Sequence, residues 1–84
     1  MSVLTLSERK SLRTYAENMS WFREHYAELK KEHANQFVAI DSGRVIDSDY
    51  NPDRLIKRLK ELYGQVATTF AIEYIAKDNL ELLL

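Results

Sequence analysis

Apolar and aromatic side chains recur every three or four residues in the first part of the chain, at Leu12, Tyr15, Met19, Phe22, Tyr26, Leu29 and His33. This spacing is typical of a helix with one buried face. Thr5 and Glu8 have the spacing of a capping box, which predicts that the helix begins after Thr5. No Pro or Gly interrupts residues 8–34. We therefore expect one helix, or two with a kink in which Ser20 caps the second.

The pattern then changes to two short runs rich in β-branched residues, Phe37–Ile40 and Val45–Ile46. Between them lies Asp41-Ser42-Gly43, a turn-forming triplet with a glycine where a left-handed residue is needed. Strand formers on both sides of such a triplet predict a β-hairpin with a three- or four-residue loop.

A second helix is indicated by Asn51-Pro52, because asparagine caps helices and proline is favoured in the first turn. Gly64 provides the stop. The predicted buried stripe consists of Leu55, Ile56, Leu59, Leu62 and Tyr63. The segment Thr68–Ile75 is rich in strand formers and reads as a third strand.

The element order α-β-β-α-β predicts an α+β domain with two layers. A right-handed parallel crossover from the second strand to the third would give a three-stranded mixed sheet with both helices on one face. The apolar segment Leu80–Leu84 either adds an edge strand, which would make the sheet four-stranded, or packs against the first helix. We take residues 1–20 as an N-terminal helical extension and residues 21–84 as the single α+β domain.

The composition of the chain argues against several classes of protein. The chain has 84 residues, 12 basic and 13 acidic, and a net charge of -1, so no global field attracts nucleic acid or acidic membranes. It contains no cysteine, which excludes disulfides and thiolate metal sites. Its apolar runs are too short to cross a bilayer, and the first ten residues do not resemble a secretory leader. We expect a soluble cytoplasmic protein without a cofactor.

Both faces of the predicted strands are apolar, whereas two helices on one side would cover only one face. The first hypothesis is therefore a protein-interaction module, a homo-oligomer or the companion of a small protein. A core this small also gains from association. No catalytic constellation converges, so we expect no enzyme. The predicted contact residues are Val38, Ile40, Ile46, Leu82, Leu83 and Leu84.

Nucleic-acid binding is the second hypothesis, because four cations lie on the second predicted helix, at Arg54, Lys57, Arg58 and Lys60. A basic helix can lie along phosphates, and Tyr50 or Tyr63 could stack on a base. Glu61 interrupts the basic stripe, however, and lies one turn from Lys57 as an ordinary helical ion pair.

Cation or small-ligand binding is the third hypothesis. Asp47 and Asp49 precede the helix with the spacing of oxygen ligands in a calcium loop, and Asp53 follows. Pro52 and Arg58, however, occupy the positions where such a loop needs glycine and glutamate. The triplet that begins at Asp41 also resembles the signature loop of aspartic proteases, but a hairpin turn explains it better, because Arg44 follows where a small residue is usual and the chain has too few strands for such a barrel.

A set of short motifs resembles a small family of uncharacterised proteins, common in archaea and found in some bacteria. The motifs are Trp21-Phe22, Tyr26 and Leu29, Phe37-Val38-Ala39-Ile40, Gly43, Val45-Ile46-Asp47 and Ile72-Glu73-Tyr74. The likeness covers about residues 21–84, and Arg44 stands where lysine is the commoner residue. The resemblance implies the helix–hairpin–helix–strand order. It implies no activity and no site residue.

Overall fold

The computed structural model describes residues 5–77, except for the side chain of Ser7. The predictions made for Leu80–Leu84 lie outside the described residues. The elements are α1 (Leu6–Glu24), α2 (Tyr26–His33), β1 (Gln36–Asp41), β2 (Arg44–Asp49), α3 (Pro52–Tyr63), a 3-10 helix (Gly64–Thr69) and β3 (Ala71–Ile75). The α+β class is therefore confirmed. Within the described residues no helix is both long and apolar enough to cross a bilayer.

The first helical region is two helices that meet at His25. The capping box at its start is confirmed, because the Glu8 amide donates to Thr5 Oγ1 at 3.1 Å and the Thr5 amide donates to Glu8 Oε1 at 3.0 Å. At His25 the backbone leaves the helical region, and the ring Nδ1 lies 2.9 Å from the Trp21 carbonyl oxygen, to which it donates. The imidazole also stacks on the Trp21 indole. The break thus lies at His25 and not at Ser20.

The hairpin between β1 and β2 is tighter than predicted. Ser42 and Gly43 alone form the loop, with φ values of 53° and 70°, and Asp41 pairs with Arg44. Positive φ at both central residues is the property of type I′ turns, whose twist matches that of the strands. The prediction of a three- or four-residue loop is therefore wrong.

The sheet has the order β2-β1-β3 and is antiparallel throughout the described residues. The predicted mixed sheet is wrong because β3 does not pair with β2. It pairs instead with the other side of β1. The connection through α3 crosses over the central strand, so β2 and β3 run in the same direction as the two edges.

Helices cover both faces of this sheet, which corrects the prediction of two layers. On one face, Phe22 of α1 and Leu29 of α2 pack against Val38 and Ile40. On the other face, Leu55 and Leu59 of α3 pack with Phe70 against Ala39. The architecture is three layers, with the sheet between α1–α2 and α3.

The second half of the chain departs from prediction at its ends. Asn51 caps α3 as expected, and its side-chain oxygen accepts from the amides of Asp53 and Arg54. The predicted buried stripe is only partly buried, since Leu62 and Tyr63 are exposed. The 3-10 helix occupies the start of the predicted third strand, so β3 begins at Ala71 and not at Thr68.

Asn18 is the one buried polar side chain among the described residues, and it ties α1 to the rest of the molecule. Its Nδ2 donates to Asp41 Oδ1 at 3.0 Å and to the Thr69 carbonyl oxygen at 2.9 Å. Its Oδ1 accepts from the Ser42 amide at 3.2 Å. One side chain thus joins α1, the hairpin loop and the entry to β3. Asn18 lies in the part of the chain that was predicted to be an N-terminal helical extension.

We predict that Asn18→Ala lowers the free energy of unfolding by about 2 kcal/mol, because it removes three hydrogen bonds and leaves partly buried groups without partners. Urea unfolding followed by circular dichroism would measure the change. Glu17→Ala, at an exposed neighbouring position, is the control and should change stability by less than about 0.5 kcal/mol. Equal effects of the two substitutions would contradict the role given to Asn18.

Candidate functional site

Arg58 of α3 is the centre of a charged network on the outer side of β2. Its Nε and one terminal nitrogen donate to the two Asp47 carboxylate oxygens at 2.8 and 2.9 Å, a bidentate pair. Its other terminal nitrogen donates to Asp49 Oδ2 at 3.1 Å. A further bond of 3.1 Å reaches the Ser48 carbonyl oxygen. One guanidinium therefore fastens α3 to three consecutive residues of β2.

Asp49 is shared between this network and the start of α3. Its Oδ1 accepts from Arg54 at 2.9 Å and from the Asn51 amide at 2.8 Å. The Asp49 side chain is 11% exposed, whereas that of Arg54 is 66% exposed. The carboxylate is thus enclosed by its partners and also holds the turn that leads into the helix.

These contacts stabilise the charged forms of all three central groups. The hydrogen bond from Arg58 lowers the pKa of Asp47 below its ordinary value, against the opposing effect of burial. The hydrogen bonds from Arg54 and the Asn51 amide lower the pKa of Asp49 further. The two carboxylates in turn raise the pKa of Arg58. The network is fully ionised at neutral pH.

The network contains residues of both the predicted cation site and the predicted nucleic-acid surface. Asp47 and Asp49, proposed as metal ligands, face guanidinium groups, and the exposed Asp53 does not join them. No group of three His, Asp or Glu side chains in residues 5–77 is placed to hold a metal ion. Arg54 and Arg58 are in turn occupied by carboxylates. Of the four helix cations proposed for phosphate contacts, Lys57 and Lys60 stand outside the network.

The predicted contact residues lie in the core or outside the described chain. Val38 and Ile40 are 0% exposed beneath α1 and α2, so they form no part of the surface. Ile46 is partly buried against the cluster under α3. Leu82, Leu83 and Leu84 lie outside residues 5–77. The apolar second face that motivated this set is covered by the chain's own helix α3.

An apolar groove of about 320 Å³ lies beside β3 and was missed by sequence reasoning. Its walls come from α1, α3, the 3-10 helix and β3. We call this the β3 groove, lined by Tyr15, Ile56, Leu59, Lys60, Gly64, Ala67, Thr68, Phe70 and Ile72. Tyr15 and Ile56 were read as buried stripe residues, yet they are 41% and 36% exposed. Their periodicity correctly predicts an apolar helix face. It does not predict that this face borders a groove.

A larger and more polar cleft, of about 560 Å³, lies between α2 and β2. Glu28, Glu32 and His33 line it from α2, and Arg44 and Ser48 line it from β2. Side chains of both charge signs share the cleft, so it presents no single field to a ligand. The cleft lies on the same face of the sheet as α1 and α2, next to the edge strand β2.

We predict that Arg58→Met destabilises the protein near neutral pH more than Lys57→Met, which removes the same charge from an exposed position of the same helix. Asp47 and Asp49 have pKa values in the folded state below the ordinary value of about 3.9. The contribution of these ionised carboxylates to the free energy of unfolding is therefore complete above about pH 5. It is lost as the pH falls from about 5 through their pKa values in the folded state.

Urea unfolding between about pH 2 and pH 7 would test the Arg58 prediction. The stability difference between Arg58→Met and Lys57→Met should shrink as the carboxylates become protonated. A difference that is constant over this range would mean that Arg58 acts through packing of its aliphatic stem and not through its charge.

Comparison with known proteins adds a family but no activity. Neither a search of curated proteins nor a search of solved structures finds a match. A family model matches residues 28–78, which run from within α2 past the end of β3 and make up more than half of the chain. The matched segment contains the whole sheet, α3 and the charged network, whereas α1 precedes it. The chain therefore belongs to a family of unknown function, DUF5678.

Proposed function

We propose that this protein is an interaction module that takes up an extended apolar segment of a different protein along β3. The observation that carries the proposal is the coincidence of a regular strand edge, which pairs with no other strand in residues 5–77, with the β3 groove beside it. Strand addition at such an edge supplies main-chain hydrogen bonds, and an adjacent groove supplies side-chain pockets.

The two edges of the sheet differ in how well they resist pairing. The strand β2 contains a bulge. Ala39 of β1 pairs with Asp47 and Ile40 of β1 pairs with Val45, so Ile46 of β2 is an extra residue without a partner in β1. A bulge and flanking charges are features that block edge-to-edge pairing. The register of β3 against β1 is regular over all five residues, and Glu73 is its one charge. The β3 edge is therefore the one suited to receive another strand.

The groove supports the same edge. Phe70 and Ile72 form one wall, and Ile56 of α3 faces them. Further along the strand, Tyr74 is 47% exposed and leans on Phe37. An extended segment beside β3 would direct every second side chain towards these apolar surfaces. The groove thus favours a segment with apolar residues at alternate positions.

Charge argues against a second copy as the occupant. If two β3 strands paired antiparallel over their full length, Glu73 would lie directly opposite Glu73 of the other copy. Like charges at directly opposed positions are destabilising. The original reason for self-association, an uncovered sheet face, is also removed by α3. The proposed partner is therefore a different protein.

We predict that the full chain selects, from a displayed library of random decapeptides, sequences with apolar residues at alternate positions. Ile56→Lys should weaken binding of a selected peptide by at least about tenfold, because it places a charge in the groove. Leu62→Lys is the matched control, since Leu62 lies on the same helix, is 67% exposed and does not line the groove.

Fluorescence anisotropy with a labelled peptide would measure both affinities, and circular dichroism would verify that both variants fold. Failure to select any peptide would overturn the proposal. So would equal affinities of Ile56→Lys and the unsubstituted chain, because binding would then occur elsewhere.

A further inference from the structure

We infer that the partner segment bound along β3 carries a lysine or arginine directly opposite Glu73, between two apolar residues that project towards the β3 groove. The inference rests on the proposed function, because it names the chemistry of the partner that this edge accepts. The occupant is a segment of a different protein with the order apolar, basic, apolar. The charge of Glu73 and the alternation of side chains along β3 together point to this order.

The side chains of β3 alternate between the two faces of the sheet. Glu73 pairs with Val38, whose side chain lies in the cluster under α1 and α2. Ile72 pairs with Ala39, which lies in the cluster under α3. Directly opposed residues in antiparallel strands share one face. Glu73 therefore lies on the face of α1 and α2, whereas its neighbours Ile72 and Tyr74 lie on the face of the β3 groove.

Glu73 is a partly buried carboxylate at the centre of the strand. Ala71 and Ile75, which lie two residues away on the same face, are both 0% exposed. Among residues 5–77, no basic side chain places a nitrogen within 4.0 Å of the Glu73 carboxylate. A carboxylate beside apolar surface gains more from a nearby cation than a carboxylate in open water, because the effective dielectric constant is lower there. A cation on an added strand would satisfy this carboxylate.

A strand added along β3 brings one of its residues directly opposite Glu73. The Cβ atoms of directly opposed residues lie about 4.5–5.5 Å apart, which allows their side chains to form an ion pair. Opposite charges at such positions stabilise the pairing of the strands, whereas like charges destabilise it. A lysine or arginine also packs its aliphatic stem on apolar neighbours such as Ala71 and Ile75. The residue opposite Glu73 is therefore basic.

The two residues that flank this basic residue project to the other face of the sheet. They lie opposite Ile72 and Tyr74, on the side of the β3 groove. Ile56 and Phe70 line the groove there, and the Tyr74 side chain is 47% exposed beside it. Both flanking residues are therefore apolar. A slip of one residue would turn the basic side chain into the apolar groove, so Glu73 also fixes the register of the segment.

The selection from the decapeptide library gives the first test. We expect the selected peptides to carry lysine or arginine between two apolar residues. For such a peptide, Glu73→Lys should weaken binding by at least about fivefold, because it places like charges opposite one another. Glu32→Lys is the matched control, since it makes the same charge change on a side chain that is 79% exposed beside β2, at the other edge of the sheet. It should change the affinity by less than about twofold.

An exchange of charges distinguishes an ion pair from a loss of folding. A peptide whose basic residue is replaced by glutamate should bind Glu73→Lys better than it binds the unsubstituted chain. Fluorescence anisotropy would measure all four combinations of chain and peptide, and the preference for opposite charges should shrink as the salt concentration rises. Circular dichroism would verify folding. Glu73→Gln removes the charge but keeps the size of the side chain, and should weaken binding of the basic peptide about threefold.

Each result decides the inference. A basic residue between apolar residues in the selected peptides, with recovery on charge exchange, supports it. Selected peptides with alternating apolar residues but no basic residue between them overturn it and leave the proposed function standing. Equal effects of Glu73→Lys and Glu32→Lys do the same. Failure to select any peptide overturns both proposals. Dimerisation of the unsubstituted chain that is lost in Ile56→Lys, measured by analytical ultracentrifugation, also overturns both, because a second copy is then the occupant.

Discussion

Burial of β1 on both faces is the constraint on which the rest of the structure depends. Val38, Ala39 and Ile40 are consecutive and all 0% exposed, which is only achieved when side chains on both sides of the strand are covered. One strand therefore supports two small clusters, one under α1 and α2 and one under α3. Neither cluster is large, so the strand that they share makes them interdependent.

Polar contacts add to the packing of these two small clusters and hold the helices on the sheet. Asn18 fixes α1 to the hairpin loop on one side of the sheet, and Arg58 fixes α3 to β2 on the other. Each contact lies where its helix meets the β1–β2 hairpin. Asn18 accepts from the Ser42 amide and so supports the loop with its positive φ, whereas Arg58 holds the opposite end of β2.

Local signals in the sequence were sufficient for much of the fold. The capping residue Thr5, the Asn51-Pro52 start and the glycine in the hairpin loop each determine the backbone within a few residues of themselves. The features that local signals could not predict depend on contacts between distant residues. Apolar residues on both faces of β1 predict that something covers the second face, and the crossover through α3 supplies that cover within the chain. Nothing local to β3 indicates that it pairs with β1 and not with β2.

The pairing within the candidate sites was unpredictable for a related reason. Asp47 and Arg58 suggest separate functions in the sequence because they are eleven residues apart and lie on different elements. Once α3 packs on β2, the Arg58 guanidinium and the Asp47 carboxylate pair with one another. A pair of opposite charges has no sequence signature at this separation, whereas charges three or four residues apart on one helix do.

The helices cover the two edge strands of the sheet unequally. Within residues 5–77, α1 and α2 cover β2 less than the other strands on one face, and on the other face α3 lies over β2 and β1 and covers β3 less. The β2 opening is polar and its strand is bulged, whereas the β3 opening is apolar and its strand is regular. Exposed apolar surface beside an unprotected strand edge is a hazard for aggregation unless it has an occupant. The asymmetry between the edges is therefore the physical argument for the proposal that a partner segment pairs along β3.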